Sequence, residues 1–162
     1  GDSNEIDFIK FTIKKLKEAE NYEPDIIVRL LATCPFQKAT DIDKTIKKVL
    51  NKKINSSVLI SEAKQHPKKA LRLIGGKNKR LVNYYTGKGI DVGCKSNRQS
   101  FQKAYFRSNV IVSKKKVLDK FNSLTDNKVS FVEMNSQFFV DIDSSSDFKY
   151  AEYIVKNKKC NI

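Results

Sequence analysis

The residues best suited to chemistry lie near the C-terminus: Phe139-Val140-Asp141-Ile142-Asp143-Ser144-Ser145-Ser146-Asp147-Phe148. An apolar run ends there in two carboxylates one residue apart. In an extended strand, residues i and i+2 point to the same face, so Asp141 and Asp143 would aim at one point while Val140 and Ile142 pack behind them. Two hard oxygen donors at a strand end suit Mg²⁺, which commonly takes one or two carboxylates and leaves its other positions to water and phosphate. The same residues also fit a plainer role. Asp143 or one of Ser144, Ser145 and Ser146 would cap the helix that follows, and Asp141 would be an ordinary edge residue. This stretch alone leaves both readings open.

The elements that must position these residues follow from periodicity. Ile6, Ile9, Ile13 and Leu16 recur at helical spacing and predict an amphipathic helix over residues 5–19. Asp25-Ile26-Ile27-Val28-Arg29-Leu30-Leu31 is a near-continuous apolar run, the pattern of a strand buried in a parallel sheet. Ala32-Thr33-Cys34-Pro35-Phe36 is then a loop at that strand's C-terminal end, where ligands gather in open α/β sheets. A second helix is predicted over 41–51, from Ile42, Ile46, Val49 and Leu50, and a second strand over 57–61. This alternation is that of a doubly wound α/β chain. It breaks at residues 70–85, which read as a hairpin around Gly75-Gly76, followed by a long polar loop over 86–100. Strands at 105–112 and 129–134, a short helix marked by Val117, Leu118 and Phe121, and a last helix to about Lys156 complete the chain.

Composition narrows the function classes. The 162 residues, 40% hydrophobic, suffice for one globular domain. No apolar run approaches membrane-spanning length, and no signal peptide is expected. Cys34, Cys94 and Cys160 are odd in number and widely spaced, which fits a reducing cytoplasm rather than a disulfide framework. His66 stands alone and anchors no Cys/His metal cluster. The net charge of +14 is mostly scattered Lys on presumed solvated helix faces. No recognition motif accompanies it, so nucleic acid is not the expected partner, and a polyanionic small molecule such as a nucleotide fits as well.

Four blocks, in order and nearly spanning the chain, carry a family resemblance. They are Pro24-Asp25-Ile26-Ile27-Val28 through Ala32-Thr33-Cys34-Pro35-Phe36 with Asp41-Ile42-Asp43; His66-Pro67; Asn97-Arg98-Gln99 with Tyr105-Phe106-Arg107-Ser108-Asn109; and Asp141-Ile142-Asp143 with Asp147-Phe148 and Ala151-Glu152. Together they resemble the acylneuraminate cytidylyltransferases, which make CMP-sialic acids. Leu31, Cys34, Gln37 and Val110 depart from residues common in that family, as does the absence of its Gly/Arg/Lys-rich phosphate-holding loop.

The resemblance implies a Rossmann-like nucleotidyltransferase fold, truncated at its N-terminus. It implies one domain over 1–162, with 70–110 as a hairpin excursion that forms a homodimer. The implied partners are CTP and a nonulosonic acid, with legionaminic, pseudaminic or Kdo-like acids as alternatives; no membrane is implied. Mg²⁺ would be held by Asp141 and Asp143 as the catalytic pair. Thr33, Asn97, Arg98, Gln99, Arg107 and Asn109 would bind substrate, Arg107 by clamping the sugar carboxylate. Without the phosphate-holding loop the chain alone is expected to be a poor catalyst, or a noncatalytic sugar- or nucleotide-binding remnant. His66 is expected to be structural, Cys34 a packed small residue, and Tyr84-Tyr85 hairpin packing.

Overall fold

The computed structural model describes residues 4–90 and 101–157, which form two units: Gly1–Ile60 with Arg107–Ile162, and Ser61–Phe106. The first unit opens with α1 (Glu5–Glu20), begun by the Asn4 side chain, which accepts from the Ile6 N–H at 3.2 Å. It ends on Asn21 in the left-handed region, φ 52°, a conformation Asn tolerates better than most residues. Next come β1 (Ile26–Arg29), α2 (Ala39–Leu50) and β2 (Ser56–Glu62).

The second unit holds a hairpin, β3 (Leu71–Ile74) with β4 (Arg80–Asn83), antiparallel with Leu73 opposite Leu81. Gly75 closes it at φ +91°, and a Cβ there would lie 2.6 Å from the Asn78 carbonyl oxygen, so glycine is required. Buried Asn83 organises the segment after the hairpin. Its amide donates to the Lys68 carbonyl at 2.7 Å, and its side-chain oxygen accepts from the Tyr85 and Thr86 N–H groups, each at 3.1 Å.

The chain then runs through β5 (Tyr105–Lys114), α3 (Lys115–Phe121), β6 (Ser130–Met134) and α4 (Ser145–Lys156). The main sheet has the order β1-β5-β2-β6 and contains parallel pairing. Its two faces follow the period of two. Val110, Val112 and Leu59 face α2, where Val49, Ile42 and Ile46 cover them. Ile111 and Val58 face the other way, toward Ile6, Ile9 and Ile13 of α1 and Leu118 of α3. Helices on both faces of a mixed sheet make the α/β class expected from the alternation.

Two expectations differ from what forms. The 25–31 run is not a central parallel strand: β1 is an edge strand, paired antiparallel to β5 with Ile26 opposite Lys114 and Arg29 opposite Ile111. Val28, Leu30 and Leu31 are accordingly exposed. Nor do Asp141 and Asp143 end a strand. β6 stops at Met134, a 3₁₀ turn (Ser136–Phe138) follows, and residues 139–143 run without ladder pairing. The Asn135 side chain caps that turn by accepting from the Gln137 N–H at 2.9 Å. The apolar residues after it pack instead of pairing: Val140, with Phe138 and Ile142, sits against Phe36, Ala151 and Ile154.

Candidate functional site

Beyond β1 the chain turns back on itself, the Cys34 N–H donating to the Leu31 carbonyl at 3.3 Å. Phe36, 4% exposed, pins this loop to Val140 and to Ala151 and Ile154 of α4. The same packing brings residues 139–143 alongside, and the Ile142 N–H donates to the Thr33 carbonyl at 2.9 Å. That one backbone bond and the apolar contacts keep the alternation of a strand without a strand. Val140 is buried and Ile142 half-buried in the core, while Asp141 is half-buried and Asp143 exposed.

Asp141 therefore meets the Thr33–Cys34 loop and Asn109 of β5. The Asn109 amide donates to Asp141 Oδ2 and to Cys34 Sγ, each at 3.0 Å. The Cys34 thiol faces Asp141 Oδ1 at 3.7 Å. Burial pushes the Cys34 thiol above its ordinary pKa and the Asp141 charge acts in the same direction, with the Asn109 amide opposing. A neutral, packed thiol is the consequence, since the neighbouring Asp141 charge disfavours the thiolate.

The sequence-predicted residues divide as follows. Thr33, Asn109 and Asp141 come together. Thr33 enters this arrangement through its backbone, and its residue is exposed. Asp143 is two residues on, its N–H donating to Asp147 at 3.3 Å. Asp147 belongs to the cap of α4: Ser144 and Asp147 form a reciprocal capping box. The cap of the plainer reading is present, formed by Ser144, while Asp141 is no ordinary edge residue but sits in a separate cluster with Asn109 and Cys34. Arg107 is exposed on β5. Asn97, Arg98 and Gln99 lie outside the described residues. His66 caps the 3₁₀ turn Pro67–Lys69, accepting from the Lys68 N–H at 3.2 Å, and its Nε2 lies 2.9 Å from the Gln102 carbonyl. It lines a cavity of about 650 Å³ in the second unit, with Lys68, Tyr85 and Phe101 among the other walls. None of the sequence-predicted site residues among the described ones lines that cavity.

Arg29 was not anticipated. It ends β1, is paired with Glu5 of α1, and donates to the Asn109 carbonyl at 3.2 Å. The signal lay in the sequence, as a single charge inside an otherwise apolar run.

Among the described residues no group of three or more His, Cys, Asp or Glu side chains converges on a metal position. A divalent ion here would draw on one or two carboxylates, which is how Mg²⁺ is commonly held. An ionised carboxylate has about four acceptor positions. The contacts from Asn109 and Cys34 leave Asp141 acceptor capacity, and Asp143 is exposed. The pair fits Mg²⁺ on chemistry.

No protein-family model and no curated protein matches the chain. Among solved structures it is similar to a CMP:2-keto-3-deoxy-manno-octonic acid synthetase complexed with CTP. The TM-score is 0.58 at 9% sequence identity, over 97% of this chain and 70% of that one. At this level of identity the likeness establishes a shared fold, the Rossmann-like α/β arrangement of that nucleotidyltransferase.

Proposed function

We propose that this protein serves in transfer of a cytidylyl group from CTP to a sugar acid, forming a CMP-sugar and pyrophosphate. The observation that carries the reading is the Asp141 carboxylate, fixed by Asn109 beside the loop that ends β1, in a fold shared with a synthetase solved with CTP. A nonulosonic acid of the sialic type is the substrate favoured by the sequence blocks; the solved neighbour's name favours a 2-keto-3-deoxy acid of the Kdo type.

The chemistry demanded is attack of an anomeric hydroxyl on the α-phosphate, with charge building on phosphate oxygens. Such reactions depend mainly on positioning and electrostatic stabilisation. Mg²⁺ held by Asp141 and Asp143 would supply that charge stabilisation when bound. The chain's own part is to keep the Asp141 carboxylate oriented and half-shielded from water, which the Asn109 amide and the packed Cys34–Phe36 loop do. Arg107, a planar two-pronged donor exposed on β5, suits the sugar carboxylate.

A symmetric homodimer through residues 70–110 belongs to the same reading. Its support is the cross-strand pair Leu73 and Leu81, 61% and 46% exposed on a two-stranded hairpin, an element that is marginal on its own.

The test measures pyrophosphate release with CTP, Mg²⁺ and a panel of sialic, legionaminic, pseudaminic and Kdo acids, with calorimetric binding of each acid in parallel. Release that requires the acid and is lost in Asp141→Asn supports transfer. Acid binding without release favours a noncatalytic sugar-binding role. Neither response, together with binding to nucleic acid that weakens steeply with salt, would overturn both.

A further inference from the structure

We infer that Arg29 is a positioning residue, which fixes Asn109 so that its amide can hold the Asp141 carboxylate. The β1–β5 ladder pairs Arg29 with Ile111, and its last register position is there. Asn109 lies two residues further along β5, where β1 has already given way to the loop. In that loop the Leu31 carbonyl is turned to the Cys34 N–H. The Arg29 guanidinium takes over where the ladder stops, donating from Nη1 to the Asn109 carbonyl at 3.2 Å.

The guanidinium is itself held. The Arg29 side chain is only 13% exposed, and its Nε donates to Glu5 Oε1 in the first turn of α1. A charge this sheltered is tolerated when paired and hydrogen-bonded. Its rigid fork presents donors in two directions at once, toward Glu5 and toward Asn109, which a single ammonium cannot match. On the far side of the Asn109 backbone, its amide bridges Cys34 Sγ and Asp141 Oδ2, both at 3.0 Å. Glu5, Arg29, Asn109 and Asp141 thus form one line of contacts from the start of α1 to the candidate metal carboxylate. Partners that orient a ligating carboxylate commonly matter about 10–100-fold in metal affinity or activity. The orientation claim stands on geometry alone; its metal consequence rests on the cytidylyl-transfer reading.

The experiment compares the full chain with Arg29→Lys and Glu5→Gln in two measurements. The first is the pair of Asn109 side-chain amide resonances in ¹⁵N-resolved NMR, identified by their loss in Asn109→Ser. The second is titration with Mn²⁺ as the metal probe. Both resonances should shift in Arg29→Lys and, to a smaller extent, in Glu5→Gln. Mn²⁺ affinity should fall about 10–100-fold in Arg29→Lys. A folded Arg29→Lys protein with Asn109 resonances at their wild-type positions would overturn the inference. If Arg29→Lys does not fold, the Glu5→Gln spectrum decides alone, since Glu5 is half-exposed and its amide isostere keeps size and shape. If the wild-type chain binds no Mn²⁺, the transfer reading loses its metal, while the Asn109 resonances still decide what Arg29 does.

Discussion

Replacing Ser144 by alanine separates the two roles that the acidic stretch combines. The Ser144 hydroxyl donates to Asp147 Oδ2 at 2.6 Å and accepts from the Asp147 N–H at 3.4 Å. The Asp147 carboxylate reaches back to the Ser144 N–H at 2.8 Å and the Asp143 N–H at 3.3 Å. Ser144→Ala removes the hydroxyl from both contacts and leaves a first-turn N–H to water. Loss of such a cap costs about 1 kcal/mol. For a chain of this size that lowers Tm by about 2–4 °C. The helix itself should stay docked, because Ala151 and Ile154, 6% and 5% exposed, sit in its second half. None of the contacts from Asn109 or Cys34 to Asp141 involves Ser144, so Mn²⁺ affinity should hardly change.

Acid gives a second handle on the same bond. The Ser144 hydroxyl, then the backbone N–H groups of Ser144 and Asp143, hold the Asp147 carboxyl below its ordinary pKa. A carboxyl lowered in the folded state stabilises above the unfolded value, about 3.9, and that contribution is lost as pH falls through the folded value. The gap between wild type and Ser144→Ala should therefore narrow below roughly pH 3.9. Thermal melts followed by circular dichroism at pH 7 and pH 3 measure it, with amide exchange at residues 146–148 reporting the first turn. An unchanged Tm at pH 7 with unaltered protection of the Asp147 amide would refute the cap; a loss of Mn²⁺ affinity as large as in Asp141→Asn would refute the separation of the two roles.

The double change Leu73→Ser with Leu81→Ser should shift a dimeric mass to monomeric in light scattering with little loss of helicity, since both side chains are exposed. A wild-type chain that is monomeric at micromolar concentration would count against the dimer. Cys34, 7% exposed and raised in pKa by burial, should react slowly with Ellman's reagent at pH 8, in a phase identified by its absence in Cys34→Ser and accelerated by urea. Reaction of the Cys34 thiol at the urea rate in the absence of urea would contradict the packing of its loop.

What the sequence disclosed and what it withheld divide along chain separation. Helix α1 was expected over 5–19 and spans Glu5–Glu20, because Ile6, Ile9 and Ile13 repeat every turn and meet the sheet on one side. The second strand, expected over 57–61, spans Ser56–Glu62 for a similar local reason. The place of the 25–31 run in the sheet was not local. A run apolar on both faces reads as a buried parallel strand, and only the pairing partner, far along the chain in β5, makes β1 an antiparallel edge. The acidic stretch shows the converse. Its alternation correctly put Val140 and Ile142 behind Asp141, yet no strand forms there. One bond to the Thr33 carbonyl and the packing on Phe36 suffice to extend the chain.

The contacts that give the site its character are the least local of all. Asn109 and Cys34 are 75 residues apart, and Cys34 and Asp141 are 107 apart. No spacing rule joins them. The Arg29 contact to Asn109 likewise bridges 80 residues. Its only local trace was a charge in an apolar run, and that trace has a physical meaning. Arginine in a strand interior must find acceptors or stay in water, and at the end of β1 the carbonyl of Asn109 and the carboxylate of Glu5 are the acceptors it finds. A lone cation at the end of an apolar strand therefore indicates that partners lie across the fold, and here those partners lead to the candidate metal carboxylate.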